Sequence, residues 1–177
     1  MFCEIARMSI TQPWTFVYLT AMFEHIARSG NIAELSYRRI FYSGDSVKTS
    51  FGDDKTNQEG QDSSYERAFF HNPKLPGSNF VFALSMHVLC TDRLPLDDTE
   101  KRVFGGTANK SFESWLATVK GRLTPQQLAV LGTAVEDIGI HGFRKSAFTF
   151  AGNAVDGAPP AAVEIRGCHA QEGVKEM

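Results

Sequence analysis

Apolar and polar positions alternate between two periods along this chain, and the switches between them predict its elements. From Trp14 to Ala27 the residues Phe16, Leu19, Phe23 and Ala27 recur near helical spacing, and a short helical turn follows over Ile32 to Leu35. The pattern then becomes strand-like. Arg39 to Tyr42, the turn residues Ser43-Gly44-Asp45, and Ser46 to Phe51 with Val47, Thr49 and Phe51 alternating predict a hairpin. Gly52 to Ser64 reads as a polar loop, Tyr65 to Phe70 as a third strand, and Asn72-Pro73 and Pro76-Gly77 as turns.

Helical spacing returns after Pro76. Phe80 to Cys90 predicts an apolar helix, and Ser111 to Lys120 an amphipathic one with Phe112, Trp115, Leu116 and Val119 on its stripe. Thr124-Pro125-Gln126-Gln127 has the residues of a capped helix start: a capping hydroxyl, proline in the first turn, and glutamine to close a capping box. A further helix begins near His141, and Pro159-Pro160 opens a last one toward Cys168. The expected class is α+β, mostly helical with a small antiparallel sheet of about three strands. Asp92 to Thr99 is the expected flexible connection.

Composition narrows the class without naming it. At 177 residues, 42% hydrophobic and 21% charged, the chain suits one folded domain rather than a disordered segment. A formal net charge of -2 works against strong nucleic-acid binding, although a basic face is compatible with that total. Cys3, Cys90 and Cys168 are three in number and widely spaced, which argues against a disulfide framework or a structural zinc site. Glu24 and His25 interrupt the apolar run after Trp14, so no membrane span is expected. A soluble intracellular protein is the resulting expectation.

One segment concentrates candidate chemistry. In Gly139-Ile140-His141-Gly142-Phe143-Arg144-Lys145-Ser146, His141 and Arg144 stand at i and i+3 and share a face at a helix start. Phe143, Ala147, Phe150 and Ala151 form an apolar stripe beside them. Such a helix buries one side and holds a His/Arg pair at the rim of a pocket. Taken alone, the pair has an ordinary structural reading, as do His25, His71 and His87.

The order of motifs resembles the tyrosine recombinases, the phage-integrase family. Asp137 to Lys145 is similar to the Gly-Thr-His-Ser-Phe-Arg-Lys form found in recombinases of eukaryotic Crypton-type mobile elements, and Ala158 to Pro160 ahead of Gly167-Cys168-His169 resembles the same group. Arg28, Leu35 and Ile40 fall on the positions of the family's first arginine motif, with Asn31 where an acid is usual, and Lys55 falls on its hairpin lysine. The resemblance runs from Arg28 to the C-terminus and implies a recombinase catalytic-domain fold over 28–177 behind a helical stub at 1–27.

It also implies roles. Arg28 and Arg144 would clamp the scissile phosphate, since guanidinium pairs with phosphate oxygens and stays charged. Lys55 would protonate the leaving 5′-oxygen, His141 would act as acid/base, and His169 would donate to a phosphate oxygen. Lys145 would touch the DNA backbone. The implied partners are duplex DNA and further copies of the chain on it, with no metal, small-molecule cofactor or membrane. The implied compartment is the nucleus in a eukaryote and the cytoplasm otherwise. The family's nucleophilic tyrosine falls just past Met177, whereas the tyrosines here are Tyr18, Tyr37, Tyr42 and Tyr65. The expected function is therefore site-specific DNA recombination or integration, inactive without that tyrosine; the alternative is a non-cutting DNA-binding remnant of a mobile element.

Overall fold

A computed structural model describes residues 12–51, 66–91 and 101–153, together with Ile5, Ser9, Pro159, Ala162 and Val163. The expected polar loop at 52–64, the connection at 92–99 and most of the helix after Pro159 lie outside the described residues, as do Lys55, Tyr65 and His169.

The element order is α1 (Pro13–His25), α2 (Ser29–Ala33), β1 (Ile40–Ser43), β2 (Ser46–Thr49), β3 (Arg67–Phe70), α3 (Phe80–Cys90), α4 (Ala108–Lys120), α5 (Pro125–Leu131) and α6 (Ile140–Asn153). This is the expected α+β class: mostly helical, with a three-stranded antiparallel sheet in the order β1-β2-β3. The hairpin closes on Gly44-Asp45 with Ser43 opposite Ser46, and Gly44 has φ +65° at the first turn position, where a type II′ turn favours glycine. Register puts Val47 beside Tyr42 and Phe69, so Val47 and Phe69 face the helices together.

α1 is the centre of the molecule. Phe16, Val17, Tyr18, Leu19, Ala21 and Met22 are all buried, so the helix is covered around most of its circumference. The segment ahead of Arg28 thus shares one core with the elements after it. Aromatic rings knit that core: Tyr18 meets Phe112 at 5.0 Å, Phe112 meets Phe143 at 6.0 Å, and Phe69 meets Phe80 at 5.1 Å between centroids. Offset and edge-on pairs of this kind add about 0.5–1.5 kcal/mol each beyond their burial. On the stripe expected for α6, Phe143 and Ala147 are buried, whereas Phe150 stays largely exposed with its ring 5.8 Å from Phe23.

His25 is fully buried in this core. Its Nδ1 lies 2.8 Å from the Ala21 carbonyl and its Nε2 lies 2.9 Å from the Thr49 hydroxyl, tying α1 to β2. His87 is buried with Nε2 3.2 Å from the Val103 carbonyl.

The capping box at α5 is present in full. The Thr124 hydroxyl accepts from the Gln127 backbone at 3.2 Å, and the Gln127 side chain accepts from the Thr124 backbone at 2.9 Å. Thr124→Ala should lower unfolding free energy by about 1 kcal/mol. Urea denaturation with an unchanged slope and an earlier midpoint is the expected result; an unmoved midpoint would show that this helix start contributes nothing.

Candidate functional site

Arg144 meets the end of α1, two residues ahead of Arg28. The last carbonyls of a helix have no partner within it and sit at the negative end of its dipole. Here two arginines from distant segments supply donors. Arg67 on β3 donates from Nη1 to the His25 carbonyl at 3.4 Å, and Arg144 on α6 donates from Nε to the Ile26 carbonyl at 3.1 Å. Arg67 lies over the Phe51 ring at 4.7 Å and Arg144 over the Phe148 ring at 5.6 Å.

Ile26 itself is in the left-handed region, with φ 53° and ψ 28°, and its backbone N–H donates to the Phe23 carbonyl at 3.2 Å. A branched side chain there costs about 1–2 kcal/mol. Among the described residues it is the one non-glycine residue with positive φ. The side chain is nonetheless buried, packing with Ala147 and Val163. That burial and the bond from Arg144 both oppose relaxation of the turn. The chain then extends through Arg28 (φ -68°, ψ 145°), the N-cap of α2, whose carbonyl accepts from Ile32 at 3.2 Å.

Two of the residues proposed from sequence, Arg144 and His141, lie beside the backbone that flanks Arg28. Arg144 is bonded two residues ahead of Arg28, across 118 positions of chain. His141 is exposed at the start of α6 and lines a small cavity of about 300 Å³ with Ser29, the residue after Arg28. Glu113 and Lys120 line the same cavity, so its charge is of mixed sign. His141 also opens onto a groove of about 880 Å³ that includes Lys145, Asp137, Thr133 and Phe150. Lys145 is exposed there, one turn beyond His141. Lys55 and His169 lie outside the described residues, and so does any contact they make with this site. No group of three or more metal-ligating side chains occurs among the described residues.

The residues that hold this site were not singled out from sequence. Lys120 donates from Nζ to the Ile138 carbonyl at 2.9 Å and to the Glu136 carbonyl at 3.5 Å, fixing the turn that leads into α6. The Tyr18 hydroxyl lies 3.0 Å from the Ser29 carbonyl and is also hydrogen-bonded to Asn109 on α4. The available signal was chemical: a phenol inside a helix otherwise covered by apolar residues needs a partner for its hydroxyl. Burial raises the Tyr18 phenol well above the ordinary tyrosine range, and the nearby Glu113 carboxylate raises it further.

No family model, no curated protein and no solved structure matches this chain.

The raised phenol has a measurable consequence. Its folded-state value lies above its unfolded value of about 10, so the stability contributed by protonated Tyr18 is complete below that pH and is lost as pH rises above it. In an ultraviolet titration, Tyr18→Phe should therefore show the same tyrosinate absorbance near pH 10 as the parent chain. Loss of a quarter of that absorbance, one tyrosine of four, would mean that Tyr18 ionises normally and is not sealed in the core.

Proposed function

We propose that this chain binds the phosphate backbone of duplex DNA through a pocket of the tyrosine recombinase type, and that its chemistry is site-specific strand breakage and rejoining when a tyrosine nucleophile is supplied. Arg28 and Arg144 form the phosphate clamp, stabilising charge as it builds on the pentavalent phosphorus. His141 exchanges a proton at the phosphate, Lys55 protonates the leaving 5′-oxygen, and His169 donates to a phosphate oxygen. Lys145 contacts the backbone beside the clamp, and copies of the chain associate on the DNA. The observation that carries this reading is the bond from Arg144 to the Ile26 carbonyl, because it brings the His-x-x-Arg helix against the turn that bears Arg28.

Covalent capture needs a hydroxyl that can reach phosphate and lose its proton. Tyr18 is buried, hydrogen-bonded and pushed toward its neutral form, which makes it a poor nucleophile. The same bond from Arg144 also favours a second reading, in which Arg144 serves the fold as a helix cap, much as Arg67 does at His25.

Salt dependence separates the two. Binding of a fluorescent duplex, followed by anisotropy at several salt concentrations, should weaken steeply with salt, by about 0.9 in log–log slope per phosphate contacted. Arg28→Ala and Arg144→Ala should each reduce that slope by about one, whereas Lys74→Ala, in the exposed turn after β3, should leave it unchanged. If the chain binds DNA independently of salt, or if all three variants keep the parent slope, the phosphate clamp is wrong and Arg144 is a structural cap.

A further inference from the structure

The turn carrying Arg28 is held from two sides, and only one involves the recombinase-like residues. Arg144 holds it at Ile26. On the other side the Tyr18 hydroxyl reaches the Ser29 carbonyl at 3.0 Å and bonds to the Asn109 side chain. A phenol has one proton and so can donate only once. The Ser29 carbonyl can only accept, whereas an asparagine amide presents either an acceptor or a donor according to how it is turned. Asn109 stands with Oδ1 toward the phenol; both contacts are satisfied together once the amide is turned, so that Nδ2 donates to the phenol oxygen and the phenol donates to Ser29. The relay joins α4, α1 and the Ser29–Gly30 peptide of α2, one residue beyond Arg28.

We propose that Tyr18, oriented by Asn109, is a positioning residue for Arg28: it fixes the Ser29–Gly30 peptide, and with it the neighbouring backbone of Arg28, so that the guanidinium is presented to a DNA phosphate in one geometry. The inference rests on the phosphate-clamp reading above. It gives a buried hydroxyl a role at the site without contact to the ligand. The ring of Tyr18 packs on Phe104 at 4.9 Å and on Phe112 at 5.0 Å. Phenylalanine keeps those contacts and removes only the relay. Asn109→Asp is the complementary change. A carboxylate can only accept, so it draws the phenol proton away from Ser29. An acid near the start of α4 also suits that helix dipole, so the fold is retained.

The test is a double-mutant cycle on duplex DNA affinity with the full chain, using Tyr18→Phe, Asn109→Asp and Arg28→Ala alone and in pairs. Tyr18→Phe should weaken binding about five- to tenfold and lower the salt slope by about one, and it should do neither in the Arg28→Ala background. Asn109→Asp should likewise lose its effect on the slope once Arg28 is gone, whatever general repulsion its charge adds. Should Tyr18→Phe fail to fold, the Asn109→Asp arm decides alone. If Arg28→Ala weakens binding but the relay variants leave it intact, or act additively with Arg28→Ala, Tyr18 is merely structural. If Arg28→Ala itself changes nothing, the clamp reading fails and the positioning role falls with it.

Discussion

Where α1 stops, two carbonyls in succession would be left in a largely apolar setting, and an unpaired buried polar group costs about 1–3 kcal/mol. Arg67 and Arg144 remove that cost by donating to His25 and Ile26. In doing so they tie β3 and α6, which are far apart in sequence, to one helix end. Ile26 is left-handed where its carbonyl accepts from Arg144, and its buried side chain offsets the strain. Satisfying this helix C-terminus thereby helps to place the sheet, the His-x-x-Arg helix and the Arg28 turn relative to one another.

A phosphate clamp could grow out of such an arrangement. Guanidinium groups drawn to a helix end for structural reasons already lie close to backbone that presents other side chains. Glu113 and Asp137 line the neighbouring spaces, and the chain as a whole is slightly acidic. Affinity in this account therefore comes from a few directed contacts rather than from a broad basic surface, so it should be modest and strongly screened by salt.

Much of the fold was legible because its elements are marked by period and by punctuation. The hairpin showed itself through Gly44 between alternating runs, α3 through an unbroken apolar run, and α5 through Thr124 and Gln127. The class followed from these. The depth of α1 in the core was less legible: the family resemblance began at Arg28 and left α1 as a stub, and periodicity reports one face whereas α1 buries most of its surface. Phe150 illustrates the opposite error of scale, a stripe residue whose ring touches Phe23 yet stays largely exposed.

At the site, spacing pointed to His141 and Arg144 as a pair and motif order pointed to Arg28. The bond that brings Arg144 to the Arg28 turn was not legible, because a backbone carbonyl leaves no trace in residue identity. Tyr18, Asn109 and Lys120 escaped for the same reason: each acts on main-chain atoms or through another side chain. The most direct test of the central claim is nitrogen-15 NMR of the arginine Nε–H groups during titration with duplex DNA at low salt. The account predicts that the Arg28 and Arg144 signals shift together while the Arg102 signal, paired with Glu34, stays in place. Arg28 and Arg144 signals that do not move while others do would contradict it.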